Sequence, residues 1–207
     1  FLFCEYAMNW DSMKNSFFFY KDTDELAKFG PQWDFDWCWG NTNMYNINTN
    51  YPTSWQTTLD KFTEEQYYQT VQWNRMLIRD PYFLTLAYEK YHKIRPVIEN
   101  MIKEDGLIEQ YAAYLKEAGA ANDARWRYTY NKEYSGATAQ NFEDSVASIQ
   151  TFLNQRVEWL DKQFTSVSTL VNSLGYYKTS DDIFLYGKMD GDKVVLTAET
   201  KNSAAAK

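Results

Sequence analysis

Between residues 141 and 164 the chain reads NFEDSVASIQTFLNQRVEWLDKQF. Phe142, Val146, Ile149, Leu153, Val157, Leu160 and Phe164 recur there at spacings of three and four, which puts them on one side of a helix. A stripe that long leaves water only by lying against other elements, so the sequence commits itself to a helical bundle. Asn141 stands at the N-cap position and Asp144 is an acid of the first turn, so the start of the helix is marked as well. At roughly 25 cal/mol per Å² of apolar area, burying the stripe anchors whatever packs on it.

The partners are legible nearby. EEQYYQTVQWNRMLIRD predicts a helix that stops at Asp80–Pro81, because a residue before proline disfavours the α region. Phe83, Ala87, Tyr91 and Ile94 mark the next helix, with a break expected at Pro96. Ile108, Tyr111, Leu115 and Ala118 mark another, which Gly119 is expected to close as a C-cap. Residues 121–134 read as a further helix centred on Arg125, Trp126 and Arg127, and residues 1–9 as a short buried one. SFFFYKDTDELAKFGPQWDF predicts a β-hairpin turning at KDTDE, its Phe17–Tyr20 arm buried on both faces. The Asn- and Thr-rich run 40–58 reads as an irregular loop, long enough to serve as a substrate-facing lid. Beyond Gly175, IFLYGKMDGDKVVLTAE predicts a second hairpin about DGD, and TKNSAAAK a linker. The expected fold is therefore α+β and mostly helical: a β-hairpin beside a helical bundle over 1–175, then a short β-tail over 176–207 leading to a neighbouring module.

Composition narrows the function. A net charge of −7 over 207 residues argues against nucleic acid or an anionic membrane surface as partner. No run of about 18 apolar residues is present, so no membrane span is expected. Aromatics reach 18%, which suits a core of large rings or a surface that binds protein or carbohydrate. Cys4 and Cys38 either pair or remain two buried thiols; both alternatives stand at this level. His92 has no cysteine or second histidine at ligand spacing, so it reads as a helix-surface or packing residue rather than a zinc ligand. The chain begins on Phe1 without the basic start of a signal peptide, and the expectation is a piece of a longer protein.

Two short motifs carry the chemistry. GPQWDFDWCWGN, residues 30–41, sets Asp34 and Asp36 among tryptophans. Rings exclude water, and a carboxylate so enclosed requires a cation or hydrogen-bond donors. Backbone amides, or Arg75, Arg79, Arg125 or Arg127, would serve as well as a metal. NWDSMKN, residues 9–15, places Asp11 23 residues before Asp34, and a hairpin between them returns the loop ends side by side. Phosphoryl transfer of the protein-kinase type uses that layout: an Asp with an Asn a few residues on, a strand pair, then a metal-binding Asp. Mg²⁺ takes carboxylate and phosphate oxygens, while a separate carboxylate orients the attacking hydroxyl and accepts its proton. Asp11 as a simple turn residue is the alternative.

Read together, N-W-D-S-M-K-N-S-F-F-F-Y-K-D and G-P-Q-W-D-F-D-W-C-W-G-N resemble the CotH kinases. These are atypical kinase-like proteins named for a bacterial spore-coat protein and also found as secreted modules, including in cellulosomal proteins. The resemblance continues more weakly through R-M-L-I-R-D-P-Y-F-L-T-L-A-Y-E-K-Y and the R-V-E-W-L-D helix, over roughly residues 1–165. It implies the C-terminal lobe of a kinase-like fold that uses Mg²⁺ and ATP. Asp11 would be the catalytic base and Asp34 the principal metal ligand. Asn15 and Asp36 would be further metal ligands, Asp36 alternatively fixing the loop, and Lys14 would face a phosphate. The implied substrate is a Ser or Thr hydroxyl on a coat or cell-surface protein, and the implied location is the exterior, cell surface or spore coat of a bacterium. The chain departs from the pattern upstream, where only ten residues precede Asp11. The family's nucleotide cover and strand lysine are expected to lie outside it, and the isolated chain is expected to turn over little ATP. The alternative is a non-catalytic scaffold module of an exported bacterial protein, binding protein or glycan.

Overall fold

The computed structural model of the protein describes residues 1–9, 16, 18–36, 38–41, 52–57, 77–126, 139–174, 183–190 and 193–200. In chain order the elements are α1 (Leu2–Ala7), β1 (Phe19–Tyr20), β2 (Lys28–Phe29), α2 (Pro81–Ile102), α3 (Leu107–Trp126), α4 (Phe142–Gln163), α5 (Val167–Leu174), β3 (Ile183–Asp190) and β4 (Lys193–Thr200). The fold is α+β and mostly helical, as the sequence indicates. Both hairpins are antiparallel: Phe19 pairs with Phe29, and the longer ladder runs from Ile183–Thr200 to Asp190–Lys193. β3 lies alongside α2. Among the described residues no helix is long and apolar enough to cross a membrane.

α4 forms where its stripe predicts. Asn141 caps it by accepting the Asp144 N–H at 2.8 Å, and Asp144 in turn accepts the Gln140 N–H at 3.0 Å. Leu153, Val157, Leu160 and Phe164 are buried against α1, α2 and α5, while α3 covers the N-terminal half of the helix. Around Phe164 the core is aromatic: Tyr91 stacks on it at 4.1 Å, Trp55 meets it edge-on at 5.8 Å, and Trp55 also meets Trp159 at 4.9 Å. Trp55 donates its indole N–H to Ser173 at 2.7 Å, which locks α5 to the 52–57 segment. His92 is an exposed helix residue, its ring edge-on to Tyr88 and its Nε2 2.9 Å from the Phe164 carbonyl oxygen.

Three local expectations give way to packing. α2 runs through Pro96 to Ile102 instead of breaking. Asp80 caps its start by accepting the Tyr82 N–H at 2.9 Å, Pro81 opens it, and Ile98, beyond the proline, is buried in the core. Burial on both sides of Pro96 outweighs the one backbone bond that the proline removes. α3 likewise runs through Gly119 to Trp126, so 121–126 belong to it rather than to a separate helix, and 127–134 lie outside the described residues. Gly119 is a point of close approach: a Cβ there would stand 2.5 Å from Cγ of Phe142. The aromatic arm of the first hairpin is not buried on either face, since Phe18, Phe19 and Tyr20 are all exposed, Phe19 at 69%. Strands of two residues present too little surface for a helix to cover them. The helix expected over 64–80 falls outside the described residues up to 76.

The residues at the centre of the molecule are charged. Arg156, on α4, is fully buried, and so is Glu5, on α1. The guanidinium donates to the Glu5 carbonyl from Nε at 2.9 Å and from Nη2 at 2.5 Å, and to the Glu5 carboxylate at 3.4 Å. Its Nη1 donates to the carbonyls of Pro52, at 2.9 Å, and Ser54. The Glu5 carboxylate also accepts the backbone N–H groups of Gln56 at 2.8 Å and Thr57 at 2.9 Å, and the Thr57 hydroxyl. Burial lowers the Arg156 pKa to about 10, with Glu5 opposing the shift, so the side chain stays charged at neutral pH. One ion pair therefore joins α1, the 52–57 segment and α4.

Arg156→Ala should destabilise the protein by about 3–5 kcal/mol in urea unfolding, since it strands a buried carboxylate and three carbonyls. Arg156→Lys should recover only part of that, because an ammonium lacks the planar fork that reaches all of them. Gly119→Ala should lower stability by about 1–2 kcal/mol despite alanine's better helix propensity, the overlap with the Phe142 ring outweighing the gain. Adding Phe142→Leu, which gives the methyl room, should reduce that penalty in the same assay.

Candidate functional site

The acidic segment lies across α1. Phe35 turns inward and meets the ring of Phe3 at 4.9 Å, and the Trp39 N–H donates to the Ala7 carbonyl at 2.8 Å. Phe35 faces the helix, and the acids on either side of it face water. Both are exposed, and so is Trp33, at 62%. The expectation of water-excluded acids is thus corrected: at the described positions the rings do not enclose the carboxylates. After Cys38 the chain turns at Gly40, whose φ of 81° suits glycine, and the Asn41 amide closes the turn by donating to the Asp36 carbonyl at 2.8 Å.

Asp34 is where the two motifs meet. Its carboxylate Oδ2 accepts the Ser16 hydroxyl at 2.9 Å, and its carbonyl accepts the Asn9 side-chain amide at 3.4 Å. Asn9 opens the NWDSMKN motif and Ser16 directly follows it, so both ends of that motif bond to one residue of the other. Asp11, Lys14 and Asn15 lie outside the described residues. Of the arginines weighed as partners, Arg125 sits on α3 with its guanidinium over Trp126 at 5.0 Å, and Arg75 and Arg127 also lie outside the described residues.

The backbone here is unusual. Met8, Ser16, Asp34 and Trp39 all have φ between 45° and 63°, the left-handed region that non-glycine residues seldom adopt. Each such residue costs about 1–2 kcal/mol, and clusters of them belong to places where geometry is held for a purpose. Met8 ends α1 in that conformation while fully buried, and Asn9 beside it is buried too, so the amide that reaches Asp34 is held from the core side.

A magnesium ion fits the chemistry of these donors. Asp34, Asp36 and Ser16 offer only hard oxygens, and exposure leaves room for the waters that Mg²⁺ retains. Among the described residues no group of three or more His, Cys, Asp or Glu is assembled, so any fuller ligand set draws on other residues. Cys38 lies beneath the segment, buried, donating its thiol to the Phe35 carbonyl. Burial, with Asp36 and Cys4 adding, pushes that thiol's pKa far above the usual range. The lid expected at 40–58 is described only at its ends, and there Trp55, Gln56 and Thr57 are core residues bound to α5 and Glu5.

Sequence reasoning missed Ser16 and the role of Asn9, although both adjoin Asp11 in the motif. It also missed Glu5 and Arg156. The available signal was a charge on an otherwise apolar face: Glu5 within LFCEYAM, and Arg156 among Leu153, Val157 and Leu160.

A family model described as CotH kinase protein matches residues 1–160. No curated protein and no solved structure gives a significant match.

The left-handed Asp34 sets a stability control for any work on its carboxylate. Asp34→Ala should be less stable than Asp34→Gly by about 1 kcal/mol in chemical denaturation, since only the side chain with a Cβ meets the steric penalty. Equal stabilities would mean that the backbone relaxes on substitution.

Proposed function

The chain belongs to the CotH kinase family, and from that premise we propose that its two acidic motifs form the phosphoryl-transfer site of an Mg²⁺- and ATP-dependent protein kinase. The supporting observation is the double attachment of Asp34, by Asn9 and Ser16, to the two sides of the motif that contains Asp11. In this reading Asp11, two residues from Asn9, orients a substrate hydroxyl and accepts its proton. Asp34 is the principal metal ligand, held in place by the Ser16 hydroxyl and the Asn9 amide. Asn15 and Asp36 complete the ligand set, or Asp36 fixes the loop, and Lys14 faces a phosphate. Magnesium, when bound, neutralises the charge on the nucleotide phosphates. The substrate is a Ser or Thr hydroxyl of a coat or cell-surface protein, and the setting is the exported or spore-coat surface of a bacterium.

A second reading has its own observation. Phe19, Tyr20, Phe29 and Trp33 stand exposed on and beside the first hairpin, a surface suited to protein or glycan. A scaffold module that binds through these rings has no need of nucleotide.

The two readings separate in one set of measurements on the full-length protein. Asp34→Asn keeps the shape of the side chain and tolerates the left-handed backbone, and Asp11→Asn removes the base. Asp34→Asn should abolish calorimetric Mg²⁺-ATP binding. Asp11→Asn should retain binding while phosphate transfer falls by about 100-fold or more. Unchanged binding and transfer in both variants would overturn the kinase reading.

A further inference from the structure

We propose that Cys4 and Cys38 form a reversible intramolecular disulfide when the protein meets a small disulfide oxidant, joining α1 covalently to the segment that carries Asp34 and Asp36. The juxtaposition is fixed from both sides. The Phe3 ring meets Phe35 at 4.9 Å, and the Trp39 N–H bonds to the Ala7 carbonyl at 2.8 Å, so Phe35 and Trp39 stand beside the two ends of α1. Cys4 lies one turn before Ala7 on the same face of α1, an axial rise of about 4.5 Å. Cys38 adjoins Trp39 and is buried. The Cys38 thiol sits at the Phe35 carbonyl, beside the Phe35–Phe3 contact that adjoins Cys4. Both residues carry thiols, and Cys4 bears electrostatically on Cys38.

Their exposures set the order of events. Cys38 is 1% exposed, whereas Cys4 is half-buried and is the sulfur an oxidant reaches first. With oxidised glutathione, the Cys4 thiolate attacks one sulfur and releases one glutathione thiolate, leaving a mixed disulfide. Cys38 then attacks the Cys4 sulfur as its proton passes to the displaced second glutathione. The two cysteines are oxidised, one glutathione disulfide is reduced to two thiols, and both cysteine protons pass to the released thiolates. Cys38 gives up its bond to the Phe35 carbonyl, the residue between the two acids. An effect on metal or nucleotide rests on the kinase reading; formation of the bond does not.

The test is thiol mapping of the whole chain, incubated with oxidised glutathione, unfolded at acid pH, alkylated and weighed intact. The expected product takes up no alkylating reagent, is lighter than the reduced protein by about 2 Da, and gives a peptide linked through Cys4 and Cys38. Dithiothreitol should restore both thiols. In Cys4→Ser, Cys38 should remain a thiol that takes the reagent only after unfolding. A glutathione adduct that persists on Cys4 with Cys38 still alkylated, an interchain dimer, or two intact thiols would each overturn the proposal.

Discussion

The structure depends on a buried charge that cannot be removed without removing its partners. Arg156 has no water to turn to, and its hydrogen bonds go to one carboxylate and three main-chain carbonyls on separate parts of the chain. Such a pair gains little over a well-packed apolar replacement, because desolvation consumes most of the attraction. What it supplies is uniqueness. Apolar stripes slide against one another at small cost, whereas a guanidinium surrounded by five donor–acceptor contacts accepts one arrangement of α1, α4 and the 52–57 segment. The position of α1 then sets that of Asn9 and Ala7, and through them that of the acidic segment.

That hierarchy explains what was legible in the sequence. Periodic signals summed over many residues held: the α4 stripe, its Asn141 cap and both hairpins are present. Two signals resting on one residue did not. Pro96 and Gly119 were read by their local propensities, but Pro96 lies between buried core positions of its helix and Gly119 lies against the Phe142 ring, and tertiary contact decides such cases. Glu5 and Arg156 were invisible for a related reason. Sequence shows a charge on an apolar face but not the opposite charge that it will meet across the fold.

The candidate site was legible as two motifs and not as an environment. Alternating tryptophan and aspartate suggested acids sealed from water, yet alternation alone separates faces without saying which one is covered. Phe35 is the ring that packs inward, whereas Asp34, Asp36 and Trp33 are exposed. The contacts that tie Asp34 to Asn9 and Ser16 depend on left-handed backbone at Ser16 and Asp34, which residue type does not announce. Asn and Asp enter that region more readily than most residues, but serine does so seldom.

The wide separation of Glu5 from Arg156, 151 positions along the chain, bears on biosynthesis. A ribosome extrudes the helix that opens this sequence long before it has polymerised the helix supplying its countercharge. Until then α1 is six residues with an acid in their middle, too short to persist alone. Its docking must close a very large loop, and contacts of that sequence range form late and slowly. The nascent chain therefore assembles its C-terminal helices before α1, translated well ahead of them, can settle.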